Sequence, residues 1–154
     1  MQDLQIRPVS EHDAEDIARL DQRLTGRWRI DHWEERIAFA ARRDPEGSLV
    51  AVQGPQLVAY LFSDVRGAEY GFAQATGWLE AIGVAPEAQR SSIGRALVER
   101  MLQRFRQTGV DQVRTLVSSQ HSQMGDFLGH LGFQEEPIRV LCCATGGANQ
   151  ERSS

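Results

Sequence analysis

Lysine is absent from this chain of 154 residues, and all 17 of its basic residues are arginine. The absence excludes Schiff-base catalysis by a lysine and the lysine of a phosphate-binding Walker loop. The planar guanidinium of arginine suits phosphate and carboxylate groups better than point-charge contacts. A net charge of -4 and a pI near 5.6 argue against a basic surface for nucleic acid.

Long apolar runs and a disulfide framework are also missing. No apolar run approaches the ~20 residues of a membrane span, and the N-terminus lacks the basic-then-apolar order of a secretory signal. Cys142 and Cys143 are adjacent, which makes them poor disulfide partners. The histidines have no i,i+4 spacing of the kind that binds metal on a helix. We therefore expect a cytoplasmic protein without membrane, nucleic-acid or metal partners.

The hydrophobic patterning predicts one α+β domain over residues 1–145, with residues 146–154 as a flexible tail. Helices are predicted after the capping sequences at Ser10 and Asp31, and over residues 93–107 and 122–131. Strands are predicted over residues 3–9, 48–53, 56–65, 76–84, 112–118 and 138–145. Hairpins together with a strand–helix–strand crossover favour a mixed sheet. The glycine-rich residues 67–77 are expected to form a loop.

The most informative segment spans residues 82–97, where a predicted strand enters a short polar loop that opens a helix. The first N–H groups of a helix have no internal partner and carry the positive end of its dipole. Small side chains at Ser91, Ser92 and Gly94 allow another group to approach this backbone, and Arg90 and Arg95 add positive charge. The pattern indicates a phosphate-binding turn. The alternative is an ordinary loop before a helix.

This segment resembles the acyl-CoA loop of the GNAT superfamily of N-acyltransferases, whose pattern is Gln/Arg-x-x-Gly-x-Gly/Ala after a strand ending in Val-x-Pro. The matching residues are Gln89, Ser92 and Gly94 behind Val84-Ala85-Pro86, with serine in place of the first glycine. A second family signature, Phe-Tyr-x-x-x-Gly-Phe at a helix end, corresponds to residues 127–133. The resemblance covers roughly residues 4–145 and implies a mixed central sheet with splayed middle strands, flanked by about four helices.

The resemblance also implies that acetyl-CoA is bound between the splayed strands. The main chain of Ile82 and Val84 would bond the pantetheine arm, and an N–H near Gly83 or Val84 would polarise the thioester carbonyl. His121 occupies the position where the family often has an asparagine near the pantetheine; the alternative for it is a solvated helix cap. The implied cofactor-binding residues are Ile82, Gly83, Val84, Gln89, Arg90, Ser91, Ser92, Ile93, Gly94, Arg95 and His121.

Glu80 is the candidate general base for an attacking amine. Strand alternation predicts one face shared by Trp78, Glu80, Ile82 and Val84. A carboxylate on such an apolar face is partly desolvated, which makes it a stronger base. Similar enzymes often carry a glutamate on this strand that works through a water. The alternative is a structural carboxylate paired with an arginine such as Arg114.

Leu128 stands where family members often have a tyrosine that protonates the leaving thiolate. Leucine cannot donate a proton. Either no side-chain acid is needed, because a thiol is a tolerable leaving group near neutral pH, or another residue serves, for which Tyr70 is a distant candidate. The same departure supports an alternative function, a non-catalytic acyl-CoA sensor.

The acceptor side is expected to involve the first two predicted helices and the loop over residues 67–77. Arg27 and Trp28 could bind an acidic or aromatic acceptor, although Trp28 could instead pack on the core. Glu69 and Tyr70 could line the same cleft. We expect an N-acetyltransferase in which a primary amine of a small molecule or peptide attacks acetyl-CoA directly. A longer acyl donor is an alternative, and an edge strand allows a homodimer.

Overall fold

The computed structural model describes residues 3–146. Over these residues the chain forms five strands and four α-helices, and it divides after Val117 into two compact units. In chain order the elements are β1 (Leu4–Pro8), α1 (Ala14–Thr25), α2 (Ile30–Arg43), β2 (Leu49–Gln53), β3 (Gln56–Arg66), β4 (Thr76–Val84), α3 (Ile93–Gln107), β5 (Val113–Arg114) and α4 (Ser122–His130). None of these helices is long and apolar enough to cross a membrane.

The first unit contains a five-stranded mixed sheet in the order β1-β2-β3-β4-β5. The first four strands pair antiparallel, and β5 runs parallel to β4. The β4–β5 ladder consists only of the pairs Gly77–Val113 and Trp78–Arg114. Beyond Leu79, no strand of the described chain pairs with this edge of β4. The predicted mixed sheet is confirmed.

Helices cover both faces of this sheet. On one face, Trp33 of α2 packs against Tyr60 and Phe62 of β3, with ring centroids 4.9 and 5.4 Å apart. On the other face, Phe105 of α3 lies so close to Gly77 that an added Cβ would be 2.9 Å from its ring. Successive side chains of a strand point to opposite faces of the sheet. Each strand residue therefore lies either on the face covered by α2 or on the face covered by α3.

The first two helices begin differently from each other. The predicted capping box at Ser10 is present, but it caps a 3-10 turn over Glu11–Asp13 that leads into α1: the Ser10 hydroxyl accepts from the His12 N–H at 3.1 Å, and the Asp13 carboxylate accepts from the Ser10 N–H at 2.8 Å. The predicted cap at Asp31 is wrong, because α2 already begins at Ile30 and Arg29 precedes it without a side-chain cap. Asp31 lies in the first turn instead, where a carboxylate interacts favourably with the helix dipole.

A β-bulge in β4 changes which side chains share a face. Phe62 pairs with Ala81 and Ser63 pairs with Leu79, so Glu80 is an extra residue without a cross-strand partner. Ala81 lies beside Phe62 on the α2 face, and the next residue, Ile82, therefore lies on the α3 face. The predicted common face for Glu80 and Ile82 is wrong, because the bulge shifts the alternation by one residue.

The predicted strands after α3 are only partly present. The strand predicted over residues 112–118 is reduced to β5, and residues 138–145 form no strand. Ile138, Val140 and Leu141 are exposed. An apolar alternating segment becomes a strand only where a neighbouring strand pairs with its backbone, and no described strand does so here. The adjacent Cys142 and Cys143 are both free and exposed. The predicted tail lies outside the described residues except for Gly146.

Candidate functional site

The turn between β4 and α3 presents backbone N–H groups without acceptors. A short 3-10 turn over Pro86–Ala88 follows β4, and α3 begins at Ile93. Within residues 3–146, the N–H groups of Ser92, Gly94 and Arg95 donate to no protein acceptor. Ser92 has φ -85°, so serine replaces the family's first glycine without backbone strain. This end of α3 has the geometry and the dipole of an anion-binding site.

Few side chains near this turn could bind an anion, and two of them, Gln89 and Arg95, already interact with other protein groups. Gln89 Nε2 donates to the Val84 carbonyl at 3.1 Å and so ties the turn to the end of β4. Arg95 forms an ion pair with Glu99 at 2.8 Å. Arg90 is exposed and forms no ion pair among the described residues. The backbone therefore supplies most of the binding capacity here, with Arg90 as the available charge.

The edge of β4 that faces away from β3 lies just before this turn in the sequence, and beyond Leu79 no described strand pairs with it. The Ala85 N–H donates to the Val58 carbonyl at 2.8 Å. In an antiparallel ladder every second residue faces the partner strand, so Gly83 faces β3 as well. The main-chain groups of Ile82 and Val84 then face the opposite edge, where β5 has already ended. These are the groups that the resemblance assigns to pantetheine, and of Gly83 and Val84 only Val84 has its N–H on that edge.

Glu80 lies on the α2 face between two arginines. Its side chain is 17% exposed; Arg66 Nη2 donates to Oε2 at 3.1 Å, and Arg36 Nη2 lies 3.6 Å from Oε1. Glu80 Oε1 is buried and accepts no hydrogen bond from the described residues. The expected alternative, a carboxylate paired with an arginine, is therefore present with Arg66 and Arg36. One carboxylate oxygen nevertheless keeps its accepting capacity.

A cleft of about 600 Å³ opens beside Glu80, between α2 and strands β3 and β4. Its α2 side is formed by residues spaced as one helical face, and its floor by β3 and β4. The main lining side chains are His32, Arg36, Phe39, Arg42, Asp64, Arg66 and Glu80. This face of α2 was not predicted from the sequence, and it neighbours the buried face formed by Trp33, Ile37 and Ala40. The i, i+4, i+7, i+10 spacing from His32 was the signal that could have found the cleft face.

His32 is a titratable group in this cleft that sequence reasoning did not single out. Partial desolvation, together with the positive charges of Arg29 and Arg36, lowers the pKa of His32. Its imidazole is therefore mostly neutral near pH 7.

The link between α1 and α2 is held by a buried carboxylate. Asp21, 1% exposed, accepts from Arg29 at 2.9 and 2.8 Å and from Trp33 Nε1 at 2.9 Å. Burial raises the pKa of Asp21, but the Arg29 and Trp33 donors outweigh it and the net pKa is lowered. Trp28 is 48% exposed, so the alternative in which it packs on the core is wrong. Arg27 is exposed as well.

The loop before β4 places the other two predicted residues at the surface. Tyr70 is 64% exposed, and its ring centroid lies 5.9 Å from that of Trp78 and 6.3 Å from that of Phe72. It has φ 56°, an unusual value for a residue other than glycine. Glu69 is exposed. Their predicted roles in proton donation and acceptor binding stay predictions.

The second unit contains His121 and Leu128. His121 immediately precedes α4, and its carbonyl accepts from the Met124 N–H at 3.1 Å. Leu128 of α4 is buried, so its side chain serves in packing. The contact of His121 with a cofactor stays a prediction.

Comparison with known proteins identifies the family. The model of the acetyltransferase (GNAT) family matches residues 13–133. The chain belongs to the GNAT family. The match covers both motifs quoted above, and the prediction of a GNAT-type enzyme is confirmed at the level of the family.

Curated relatives of this GNAT chain include two mycothiol acetyltransferases. The protein from Beutenbergia cavernae is 39% identical over 66 residues, which are 43% of this chain and 22% of that protein. The protein from Thermobispora bispora is 29% identical over 98 residues, which are 64% of this chain and 33% of that protein. The matched part of the chain thus spans a fifth to a third of the length of these relatives.

Solved structures show the same fold. The aminoglycoside N-acetyltransferase AAC(6')-Iy in complex with CoA has a TM-score of 0.76 at 16% identity, over 95% of this chain and 97% of that one. The aminoglycoside 6'-N-acetyltransferase AAC(6')-IG from Acinetobacter haemolyticus has a TM-score of 0.76 at 19% identity, over 92% and 98%. The predicted α+β GNAT fold is confirmed.

Proposed function

We propose that this GNAT chain transfers an acetyl group from acetyl-CoA to a primary amine of a small molecule or peptide. The observation that carries this proposal is that one short segment of chain holds both the outer edge of β4 and, at the start of α3, N–H groups that donate to no described residue. When bound, acetyl-CoA supplies an acyl thioester: a C–N bond forms, the C–S bond breaks, and the proton of the amine ends on the thiol.

The donor side of the proposed site is the main chain of residues 82–95. The N–H groups of Ser92, Gly94 and Arg95 bind the pyrophosphate, and the exposed Arg90 adds charge. Ile82 and Val84 bind the pantetheine arm along the edge of β4. The thioester carbonyl is polarised by a backbone N–H that donates to its oxygen. The N–H of Val84 supplies this donor. His121 is a further proposed contact of the cofactor.

The acceptor side of the proposed site is the cleft beside Glu80. An alkyl amine with a pKa of about 10.4 reaches the enzyme protonated, so a base is needed to free its lone pair. The Glu80 carboxylate is 17% exposed, and no donor among the described residues bonds to its Oε1, so we propose that this carboxylate accepts the proton directly or through a water. Arg66 and Arg36 hold the carboxylate in its orientation.

The size and polarity of the cleft favour a small, polar acceptor. About 600 Å³ is a typical volume for a small-molecule site. The aminoglycoside acetyltransferases with the same fold are named for a small-molecule acceptor. Arg27 and Trp28 on the exposed α1–α2 link, together with Glu69, are proposed contacts for the outer part of the acceptor.

Calorimetric titration with acetyl-CoA, followed by thiol release with a panel of amines, tests this proposal. We expect binding in the micromolar range, amine-dependent release of thiol, and a product heavier by one acetyl group. Binding without product from any amine would instead support the acyl-CoA sensor. Absence of binding would contradict both functions. A series of acyl-CoA chain lengths decides whether acetyl is the preferred group.

A further inference from the structure

The hydroxyl of Tyr60 lies directly beside the proposed thioester segment. Tyr60 on β3 is the cross-strand partner of Gly83 on β4. A methyl group added at Gly83 would lie 2.5 Å from Tyr60 Cζ and 2.6 Å from the hydroxyl oxygen. The phenol ring therefore rests on the backbone of Gly83, between the two residues whose main chain is proposed to bind pantetheine.

This hydroxyl has no partner within the described part of the chain. Tyr60 is 5% exposed, and its hydroxyl forms no hydrogen bond with residues 3–146. The residue as a whole keeps a narrow contact with solvent. Buried tyrosine hydroxyls usually find a hydrogen-bond partner. The Tyr60 donor is therefore available to a bound group.

Tyr60 and Glu80 lie on the same face of the sheet. The bulge places Glu80, Ala81 and Gly83 on the α2 face, where Tyr60 also packs against Trp33. Ala81 and Gly83 carry almost no side chain. A carboxylate and a phenol therefore flank a stretch of β4 that is nearly bare backbone.

We propose that the Tyr60 hydroxyl donates a hydrogen bond to the sulfur of bound CoA and stabilises the thiolate as it leaves. This inference rests on the proposed function and supplies a donor that Leu128 cannot. The C–S bond breaks with its electron pair on sulfur, and the proton released by the amine reaches the thiolate through Glu80 and solvent. Tyr60 keeps its own proton throughout.

The surroundings of Tyr60 suit a donor that does not ionise. Burial and the carboxylate of Asp21 on α1 raise the pKa of Tyr60 to about 12, with Arg29 on the α1–α2 link acting in the opposite direction. Gly83, facing it from β4, brings no charge. The ring is held edge-on against Trp33 and Phe62, with centroids 4.9 and 6.1 Å apart. A hydrogen bond to an anion is stronger than one to a neutral group, so the contact favours the departing thiolate.

The pKa of the CoA thiol in the complex tests this inference without requiring the acceptor. The ultraviolet absorbance of the thiolate is followed against pH for CoA bound to wild-type protein and to Tyr60→Phe, which retains the ring. We expect the variant to raise the pKa of the bound thiol by about 1 to 2, a ~10- to 100-fold change, because a hydrogen bond to a charged group has been removed. Calorimetric affinity for CoA with a protonated thiol should change less than about twofold.

Two further variants keep the test decisive. Tyr70→Phe removes the other tyrosine hydroxyl of the chain; a shift with this variant and not with Tyr60→Phe would overturn the inference. Gly83→Ala displaces the ring by steric contact and should raise the pKa of the bound thiol in the same direction, which covers a failure of Tyr60→Phe to fold. If the thiol of bound CoA has the same pKa in wild type and in Tyr60→Phe, the inference about Tyr60 is overturned and the proposed function is not affected. Failure of the wild type to bind CoA would overturn the proposed function with it.

Discussion

The two sides of the proposed site are built from different parts of the polypeptide. The donor side is main chain from one segment, residues 82–95, in which the N–H groups of Ser92, Gly94 and Arg95 donate to no acceptor among residues 3–146. The acceptor side consists of side chains from α2, β3 and β4, separated by up to 48 positions from His32 to Glu80. A site made of backbone persists when side chains change, whereas a cleft made of side chains can acquire a new acceptor by a few substitutions. The difference explains why the family is evident here and the acceptor is not.

The largest expected effect is on the acceptor side, from Glu80→Gln. Glutamine retains an oxygen for Arg66 but cannot take a proton. We expect kcat/KM for an alkyl amine to fall about 100-fold, and less for an amine with a pKa under about 8, since general base catalysis typically contributes 100-fold or more. Thiol release measures both.

The matched control for Glu80→Gln is Glu34→Gln, on the exposed side of α2 and outside the cleft. It should leave kcat/KM within about twofold, as expected for a surface change. Equal losses in the two variants, or no loss in Glu80→Gln with a high-pKa amine, would remove Glu80 from the role of base.

The next largest effect is expected on the donor side. It separates the contribution of backbone N–H groups to acetyl-CoA affinity from that of side-chain charge. Gly94→Pro removes one acceptor-free N–H in the first turn of α3, where proline is best tolerated in a helix. We expect acetyl-CoA affinity to fall about 30-fold, and less than about threefold for Arg95→Ala, whose guanidinium is already paired with Glu99. Calorimetry on both variants measures this. A larger loss with Arg95→Ala would mean that side-chain charge, not backbone, holds the donor.

The donor side was also the part that sequence could predict. The bounds of β4 and α3 were predicted correctly at both ends, because proline at 86 and the apolar spacing from Ile93 are local signals. The bulge at Glu80 has no such signal, because it depends on how β3 pairs with β4. The common face predicted for Glu80 and Ile82 failed for that reason.

Apart from the helical spacing from His32, the acceptor side depends on contacts between elements that are distant in the sequence. Arg66 and Arg36 reach Glu80 from β3 and α2, elements 14 and 44 positions away in the sequence. The hydroxyl of Tyr60 becomes relevant only through its pairing with Gly83. The strand predicted over residues 138–145 shows the opposite failure, since no strand of the described chain pairs with this apolar, alternating segment.

A third prediction concerns the framework behind the cleft. Asp21→Asn removes the charge that accepts from Arg29 and Trp33, and it should lower the free energy of unfolding by about 2 kcal/mol near pH 7. The partly solvated Arg29 keeps the loss below that of a fully buried pair. Denaturant unfolding of wild type and variant measures the difference.

The pH dependence of that difference follows from the lowered pKa of the Asp21 carboxyl in the folded state. A lowered folded-state pKa contributes stability above the unfolded pKa of about 3.9, and this contribution is lost as the pH falls toward the folded value. The gap between wild type and Asp21→Asn should therefore be constant above about pH 5 and shrink below about pH 4. If the difference in the free energy of unfolding between wild type and Asp21→Asn instead grows as the pH falls, the lowered pKa of Asp21 in the folded state is contradicted.

The smallest expected effect locates the acceptor within its side of the site. Phe39→Ala removes an apolar wall of the cleft and should raise the acceptor KM about three- to tenfold with little change in kcat. Trp28→Ala, on the exposed link, should have a smaller effect on the same KM. Steady-state kinetics with the best amine of the panel compares them. A larger effect of Trp28→Ala would place the main acceptor contacts on the α1–α2 link.

The backbone origin of the donor site can be observed amide by amide. Titration of the isotopically labelled chain with CoA, followed by amide chemical shifts, should produce the largest shifts at Ile82 and Val84 on β4 and at Ser92, Gly94 and Arg95 on α3. Saturable shifts concentrated at these five amides are the result that the account predicts. Saturable shifts concentrated elsewhere in the chain, with these amides unaffected, would contradict it.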